Sequence, residues 1–277
     1  MLWINDETSR LTDLCVCRGT AVPPCEGFHN DHAEFTKFRM LPWDRDKLLR
    51  QQEAFYELMT RYGVRLHFVP HSDAHPWQMY TRDTGFVIGD RMYFCRRREL
   101  PEREGEIDLV RTCLPDLDED AMVEITSGRI EGGDVLVDDG KAYVGLGTRT
   151  APEAARELGT HVEVTPVYLG PDVMHLDTRM TILPGHRALL YPGAFQPDDL
   201  AMLGDRFRLI EVTEAEALAM GTNVFVIDPE TVVMHTGFDR ITNLVREDGL
   251  KVEPIDYSEP NVLLGSFRCA TMPLARA

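Results

Sequence analysis

Residues 132–147 read GGDVLVDDGKAYVGLG. An apolar, β-branched run meets a tight turn at Asp138-Asp139-Gly140, and a second β-rich run follows. That pattern is a β-hairpin signal, because glycine and aspartate tolerate the backbone angles of a tight reversal. The same shape recurs in RDTGFVIGDRMYFC (82–95), LDTRMTILPGHRALLYPGAF (176–195) and GTNVFVIDPETVVMHTGF (221–238). Their turns fall at Gly89-Asp90, Gly185-His186 and Pro229-Glu230.

Working outward, helical patterns separate the hairpins. WDRDKLLRQQEAFYELMTRYG (43–63) has apolar residues at helical spacing and a closing glycine. APEAARELG (151–159) carries proline near its start and glycine at its end, and DRITNLVREDG (239–249) is similar. Short β-like runs follow at 64–70, 161–167, 207–212 and 250–255. The unit is hairpin, helix, strand. Measured at Asp83, Asp134, Asp177 and Asn223, it repeats every roughly 45–50 residues. Four units are continuous. A fifth can be assembled from both ends, with LTDLCVCRG (11–19) and SFRCATMPL (266–274) supplying strands around the 43–63 helix. Joining the termini within one unit closes a ring and removes exposed strand edges. The whole stretch 1–277 is read as one domain.

The bulk composition narrows the function. The chain has 277 residues, 43% of them hydrophobic, and a formal charge of -17. Such acidity makes nucleic acid and anionic membrane surfaces poor partners and favours a cationic small molecule. No run of about 18 apolar residues suggests a membrane span. The start MLWINDETSR lacks the basic and apolar parts of a secretory signal. With no CxxC among six cysteines, the thiols are read as reduced and the location as cytoplasmic. Cys95 and Cys113 are read as packing residues.

The first strand of each unit starts with reactive residues: Thr81-Arg82-Asp83, Glu131 to Asp134, His175-Leu176-Asp177, Gly221 to Asn223, and Phe267-Arg268-Cys269. Around a ring axis, equivalent positions converge. Asp83, Glu131, Asp134, His175, Asp177 and Cys269 then share one pocket. Carboxylates gathered in one place require a cation among them. A guanidinium is flat, has five donors, and matches carboxylates in bidentate fashion. A thiolate is a nucleophile, and a histidine can protonate a departing amine and then take a proton from water. Together these residue types point to covalent attack on the central carbon of a guanidinium. A metal is the competing reading, but the HxxxH of His71 and His75 is broken by Pro76, and His29 and His32 stand on no clear helix.

TRDTGFVI, EGGDVLV, HLDTRMTIL and FRCATMPL, in this order, resemble the guanidine-modifying enzymes of the pentein superfamily. These include arginine deiminases, dimethylarginine dimethylaminohydrolases and amidinotransferases. The resemblance implies a five-bladed α/β propeller of ββαβ units. It implies that Cys269 is the nucleophile of a thiouronium intermediate and His175 the general acid and base. Asp83 and Asp177 would clamp the guanidinium, with Glu131 orienting it or His175. Asp134 would serve the glycine turn. Arg149, and Arg97 or Arg98 at a different spacing from the family pattern, would hold a substrate carboxylate. Arg268 stands where arginine deiminases generally have histidine. It would either hold a carboxylate, lower the thiol pKa, or point outward to a surface acid.

The expected function is cysteine-dependent hydrolysis of a free arginine-like guanidine, arginine or an N-omega-methylated arginine. Ammonia or an alkylamine leaves, and a ureido product such as citrulline is released. The alternative is an amidinotransferase, in which an amine replaces water. A non-catalytic ribosome-binding ring would have no use for the cysteine, histidine and carboxylate set. No cofactor and no metal is required. Ring closure leaves the outer helices free to pair, so a homo-oligomer stays open.

Overall fold

The computed structural model describes residues 2–25, 42–96, 103–114 and 117–277. The first two strands are β1 (Leu11–Val16) and β2 (Arg65–Phe68). Four similar sheets follow. They are β3 (Gly85–Ile88), β4 (Arg91–Phe94) and β5 (Met122–Glu124); β6 (Val135–Asp138), β7 (Lys141–Leu146) and β8 (Val164–Tyr168); β9 (Met180–Leu183), β10 (Arg187–Leu190) and β11 (Arg208–Glu211); and β12 (Phe225–Asp228), β13 (Thr231–His235) and β14 (Lys251–Ile255). The last strand, β15 (Thr271–Arg276), returns to the first sheet in the order β15-β1-β2. In every sheet the first two strands in spatial order are antiparallel and the third is parallel to the second. This is the five-bladed α/β propeller that the family resemblance implies, and it agrees with the ring of repeated units.

The closing blade is built as the two ends of the sequence suggested. β1 and β15 pair antiparallel, with Leu11 opposite Arg276 and Val16 opposite Thr271. The segment before β1 adds to this seam: Trp3 N–H donates to Leu274 O at 3.0 Å, and Ile4 N–H to Gly89 O on the next blade at 3.0 Å. β3, β9 and β15 are buried along their whole length, whereas β2 and β5 bury no residue and β11 buries one. Such a gradient is what a ring requires, with one strand of each blade facing the axis and one facing the rim. Apolar burial falls in the seams between blades. Leu136 and Tyr143 pack with Met180, Ile182 and Leu190, and Val224 and Val226 pack with Leu183 and Leu189.

Local chemistry explains the turns and helices. Asp139 and Gly140 have φ of 54° and 71° between the paired Asp138 and Lys141, the two positive values of a type I′ hairpin turn. The helix Arg45–Arg61 starts at Asp44, whose carboxylate accepts from Lys47 N–H at 3.0 Å. The helices Pro152–Leu158 and Asp239–Glu247 also lie where expected. The helices Glu106–Cys113 and Pro197–Arg206 were not foreseen; both are short, and each buries at most two side chains.

Thr81–Thr84, Gly132–Asp134 and Leu176–Thr178 are single 3-10 turns, each leading into the first strand of its blade. The glycine pair of the middle turn is a packing requirement. A Cβ on Gly132 would stand 2.1 Å from Arg82 O, and one on Gly133 would stand 2.8 Å from the His175 ring. Only glycine lets adjacent turns approach this closely.

The closing blade is sealed by Phe55 of the Arg45–Arg61 helix, whose ring lies 5.3 Å from Phe267 and 5.8 Å from Phe225. Phe55→Ala is expected to lower unfolding free energy by about 3–5 kcal/mol, from lost burial plus the cavity left behind. Urea denaturation monitored by far-UV circular dichroism measures it; a loss under 1 kcal/mol, roughly the level of a surface substitution, would remove this helix from the closure account.

Candidate active site

The turns before the first strands bring Asp83, Glu131, Asp134, His175, Asp177 and Cys269 to one end of the ring, and all six are buried. His175 is the link between turns. Its Nε2 lies 2.8 Å from Glu131 Oε2, and its Nδ1 faces Asp83 Oδ1 at 3.9 Å. Arg149 Nη1 donates to both oxygens of Glu131, at 3.3 and 3.1 Å. Arg103 Nη1 donates to Asp83 Oδ2 at 2.7 Å, and its Nε donates to both oxygens of Glu106 at 3.1 and 3.0 Å. Asp134 has a scaffolding place. It accepts from Thr150 Oγ1 at 2.6 Å and from Leu176 N–H at 2.9 Å, which joins the glycine turn to the next one.

Cys269 is positioned by Asn223. The amide oxygen of Asn223 accepts from the N–H groups of Arg268 and Cys269, at 3.0 and 3.4 Å. Its Nδ2 donates to Asp177 O at 2.8 Å and reaches Cys269 Sγ at 3.4 Å. The Asp177 carboxylate lies 3.9 and 4.0 Å from that sulfur. Cys269 O in turn accepts from Arg82 N–H at 3.2 Å. Cys269, by its backbone and its thiol together, is therefore tied to three other turns of the ring.

Arg268 has a different partner from the substrate carboxylate or surface acid that its place beside the cysteine suggested. It is 1% exposed, and its Nη1 donates to Glu7 Oε2 at 2.9 Å, while its Nε lies 3.9 Å from Asp177 Oδ2. Glu7 comes from the segment before β1 and is also buried. Sequence reading missed Glu7, since nothing periodic marks that segment. Asn223 was seen as the first residue of a unit but given no task. Arg103 and Glu106 also went unnoticed. Arg97 and Arg98, as well as His29 and His32, lie outside the described residues. His71 is engaged by Asp73 Oδ1 at 2.9 Å and by Thr20 Oγ1 at 2.7 Å.

Electrostatics separates the two reactive groups. Burial works against a charged His175, but the Glu131 hydrogen bond and the Asp134 and Asp83 charges outweigh it and raise its pKa to about 10. Folding thus binds this proton more tightly than the unfolded chain does. The resulting stabilisation is complete below about pH 6.5 and is lost as pH rises towards 10. Burial, with the Asp177 and Asp83 charges, pushes the Cys269 thiol well up, and Arg268 opposes this only in part. Burial raises Asp177, and it raises Asp134 to about 7. Glu7 is buried too, yet Arg268 and Arg82 bring it down to about 2. These shifts favour an imidazolium beside a neutral thiol. A cation between Asp83 and Asp177 would cancel the charges that oppose the thiolate.

Among the described residues, Asp83, Glu131 and His175 offer ligand atoms within 4.8 Å of one another. The donor set suits a divalent metal poorly. Arg103 already faces Asp83 and Arg149 faces Glu131, so a dication would stand against two guanidinium groups.

A profile of the family N,N dimethylarginine dimethylhydrolase, eukaryotic, matches residues 42–276. The chain belongs to this family. It is thereby a member of the pentein guanidine-modifying superfamily. It is 34% identical over 229 residues to the uncharacterized protein YkgA of Bacillus subtilis, covering 82% of this chain and 79% of that one. It is 25% identical over 236 residues to the N(G),N(G)-dimethylarginine dimethylaminohydrolase of Pseudomonas aeruginosa, covering 83% and 89%. A crystal structure of a cysteine-to-alanine mutant of AgrE with L-arginine shares the fold, with a TM-score of 0.80 at 21% identity over 96% of this chain. This chain spans 40% of the AgrE chain. The family match takes in the six residues of the pocket but leaves out Glu7.

Asp177→Asn removes one of the charges that hold the thiol neutral. The pH midpoint for iodoacetamide alkylation of Cys269 should fall in this variant relative to the parent chain. An unchanged or raised midpoint would contradict the electrostatic account.

Proposed function

We propose that this protein is a cysteine-dependent hydrolase of a free arginine-type guanidine. The observation that carries the proposal is the meeting of Cys269 and the Glu131-bound His175 with two further carboxylates, Asp83 and Asp177, in one buried site. The substrate guanidinium lies between Asp83 and Asp177 and supplies the charge that favours the thiolate. The Cys269 proton passes to solvent water, and the thiolate forms a C–S bond to the guanidinium carbon. His175, held as an imidazolium, gives its proton to the departing nitrogen, so ammonia or an alkylamine leaves as the C–N bond breaks. This yields an S-alkylthiouronium. The neutral His175 then takes a proton from water, hydroxide adds to the same carbon, and the C–S bond breaks. The proton of the added hydroxyl passes to the sulfur, and a ureido product such as citrulline departs with the thiol restored. Glu131 keeps the imidazole oriented and charged. Arg149 lies on Glu131 within this site and is assigned to the substrate carboxylate. Arg268 is assigned to the interior, where it tempers the thiol from the side of Glu7.

Product analysis by mass spectrometry tests the reaction and its substrate. Arginine, monomethylarginine, dimethylarginine, agmatine and guanidino acids are each incubated with the protein and with Cys269→Ser. A ureido product from arginine or a methylated arginine is expected, and none from the variant. Turnover that appears only when an amine acceptor is added would replace hydrolysis by amidino transfer. Equal inertness of both proteins would defeat the proposal.

The pH dependence tests the role of Glu131 separately. Glu131→Gln removes both the hydrogen-bond acceptor charge and a nearby anion, so the His175 pKa falls from about 10 towards its ordinary 6.5. The alkaline limb of kcat should move to lower pH. A limb that stays in place would mean that another group is the acid.

A further inference from the structure

Four of the five described cysteines outside the active site gather in one place, and Cys25 packs against a different cluster. Cys15, Cys17 and Cys95 are buried in one apolar cluster, and Cys113 packs against it. Within this group the Cys15 and Cys113 sulfurs lie 3.5 Å apart, although the residues are 98 positions apart in sequence. The two are unequal. Cys15 is fully enclosed on β1, whereas Cys113 is half-buried at the end of the Glu106–Cys113 helix. The sequence had read Cys113 as a packing residue; its partial exposure and its sulfur partner are what the structure adds.

We propose that Cys15 and Cys113 form a reversible oxidation site, a dithiol that a peroxide converts to an intramolecular disulfide. The site lies outside the proposed catalytic machinery and does not rest on that reading. In the first step the Cys113 sulfur attacks one peroxide oxygen, the O–O bond breaks, and a sulfenic acid and water result. In the second step the Cys15 sulfur attacks the Cys113 sulfur, the S–O bond breaks, and a second water leaves with the Cys15 proton. The peroxide is reduced by two electrons, and the dithiol is oxidised by two. Exposure makes Cys113 the first thiol to react, and contact makes Cys15 the resolving one. The Cys15 S–H hydrogen bond lowers the Cys113 thiol pKa, against burial, in keeping with that order. A disulfide needs its sulfurs to close to about 2.05 Å, a movement of the Cys113 end of one short helix towards a fixed strand.

The place of the pair gives oxidation a route to the pocket. The Glu106–Cys113 helix begins at the residue that grips Arg103, which in turn holds Asp83. Cys15 O accepts from Thr81 Oγ1 at 3.4 Å, two residues before Asp83. The bridge ties these two supports of the Asp83 turn together. Cys15 also lies outside the segment matched by the family profile, so the pairing is a property of this chain and not of that profile.

The full-length protein is treated with hydrogen peroxide, unfolded, and its free thiols are counted. Six cysteines are expected to fall to four, with no gain of oxygen mass, and thiol reductant should restore six. Cys15 and Cys17 share one tryptic peptide, so Cys15→Ala and Cys17→Ala decide between them: the first should abolish the bridge and the second should keep it. Cys113→Ser should abolish it as well. The native thermal midpoint should rise on oxidation, because a long loop is closed in the unfolded state. Six thiols retained, a bridge mapped to another pair, or a bridge that survives Cys113→Ser would overturn the proposal. None of these readouts uses turnover, so failure of the proposed hydrolase leaves this test intact.

Discussion

The antiparallel ladder between β1 and β15 is the constraint on which the rest depends. It joins Leu11 to Arg276 and Val16 to Thr271, and in doing so makes the fifth blade from the two ends of the chain. Cys269 stands two residues before β15. Without that ladder the cysteine would sit on a loose terminal segment, far in sequence from every group that gives it chemistry. With it, Cys269 occupies the same place in its blade as Asp83 and Asn223 do in theirs. The Asn223 amide then completes the alignment by holding the Arg268 and Cys269 N–H groups together.

Charge is the second organising force. The site end of the ring concentrates acids, and each is answered differently. Glu131 has His175 and Arg149, Asp83 has Arg103, and Asp177 faces the more distant Arg268 Nε at 3.9 Å. Burial therefore raises Asp177, whereas the His175 hydrogen bond keeps Glu131 well below the usual carboxylate range. The same field divides protons between the reactive pair, leaving the histidine charged and the thiol neutral. Behind them, Glu7 gathers the Arg268 and Arg82 charges at a point remote from solvent. A buried carboxylate among arginines is stable only as a set, since removing one member leaves an uncompensated charge.

How far these features could be read in advance depended on whether a local pattern carried them. The hairpins were legible because Asp139-Gly140 and Gly185-His186 need positive φ and the sequence places glycine there. The helix Arg45–Arg61 was legible because it buries a broad apolar stripe including Leu48, Phe55 and Met59. The helix Glu106–Cys113 was not, because only Glu106 and Val110 of it are buried. Glu131, His175 and Cys269 were legible as members of repeated turns. Glu7, Arg103 and Glu106 were invisible for the opposite reason: they reach the site from outside the repeat, and no spacing rule connects them to it.

The sequence by itself determined the number of units, the strand and turn of each, and the set of residue types standing before the first strands. Those follow from backbone angles and apolar periodicity, which act over a few residues. Tertiary structure alone decided which charges pair. Arg268 faces the buried Glu7, Arg149 faces Glu131, and Cys15 meets Cys113 across 98 positions. Such choices depend on distance in space and on how much water each group has lost, and neither quantity is written in local order along a chain.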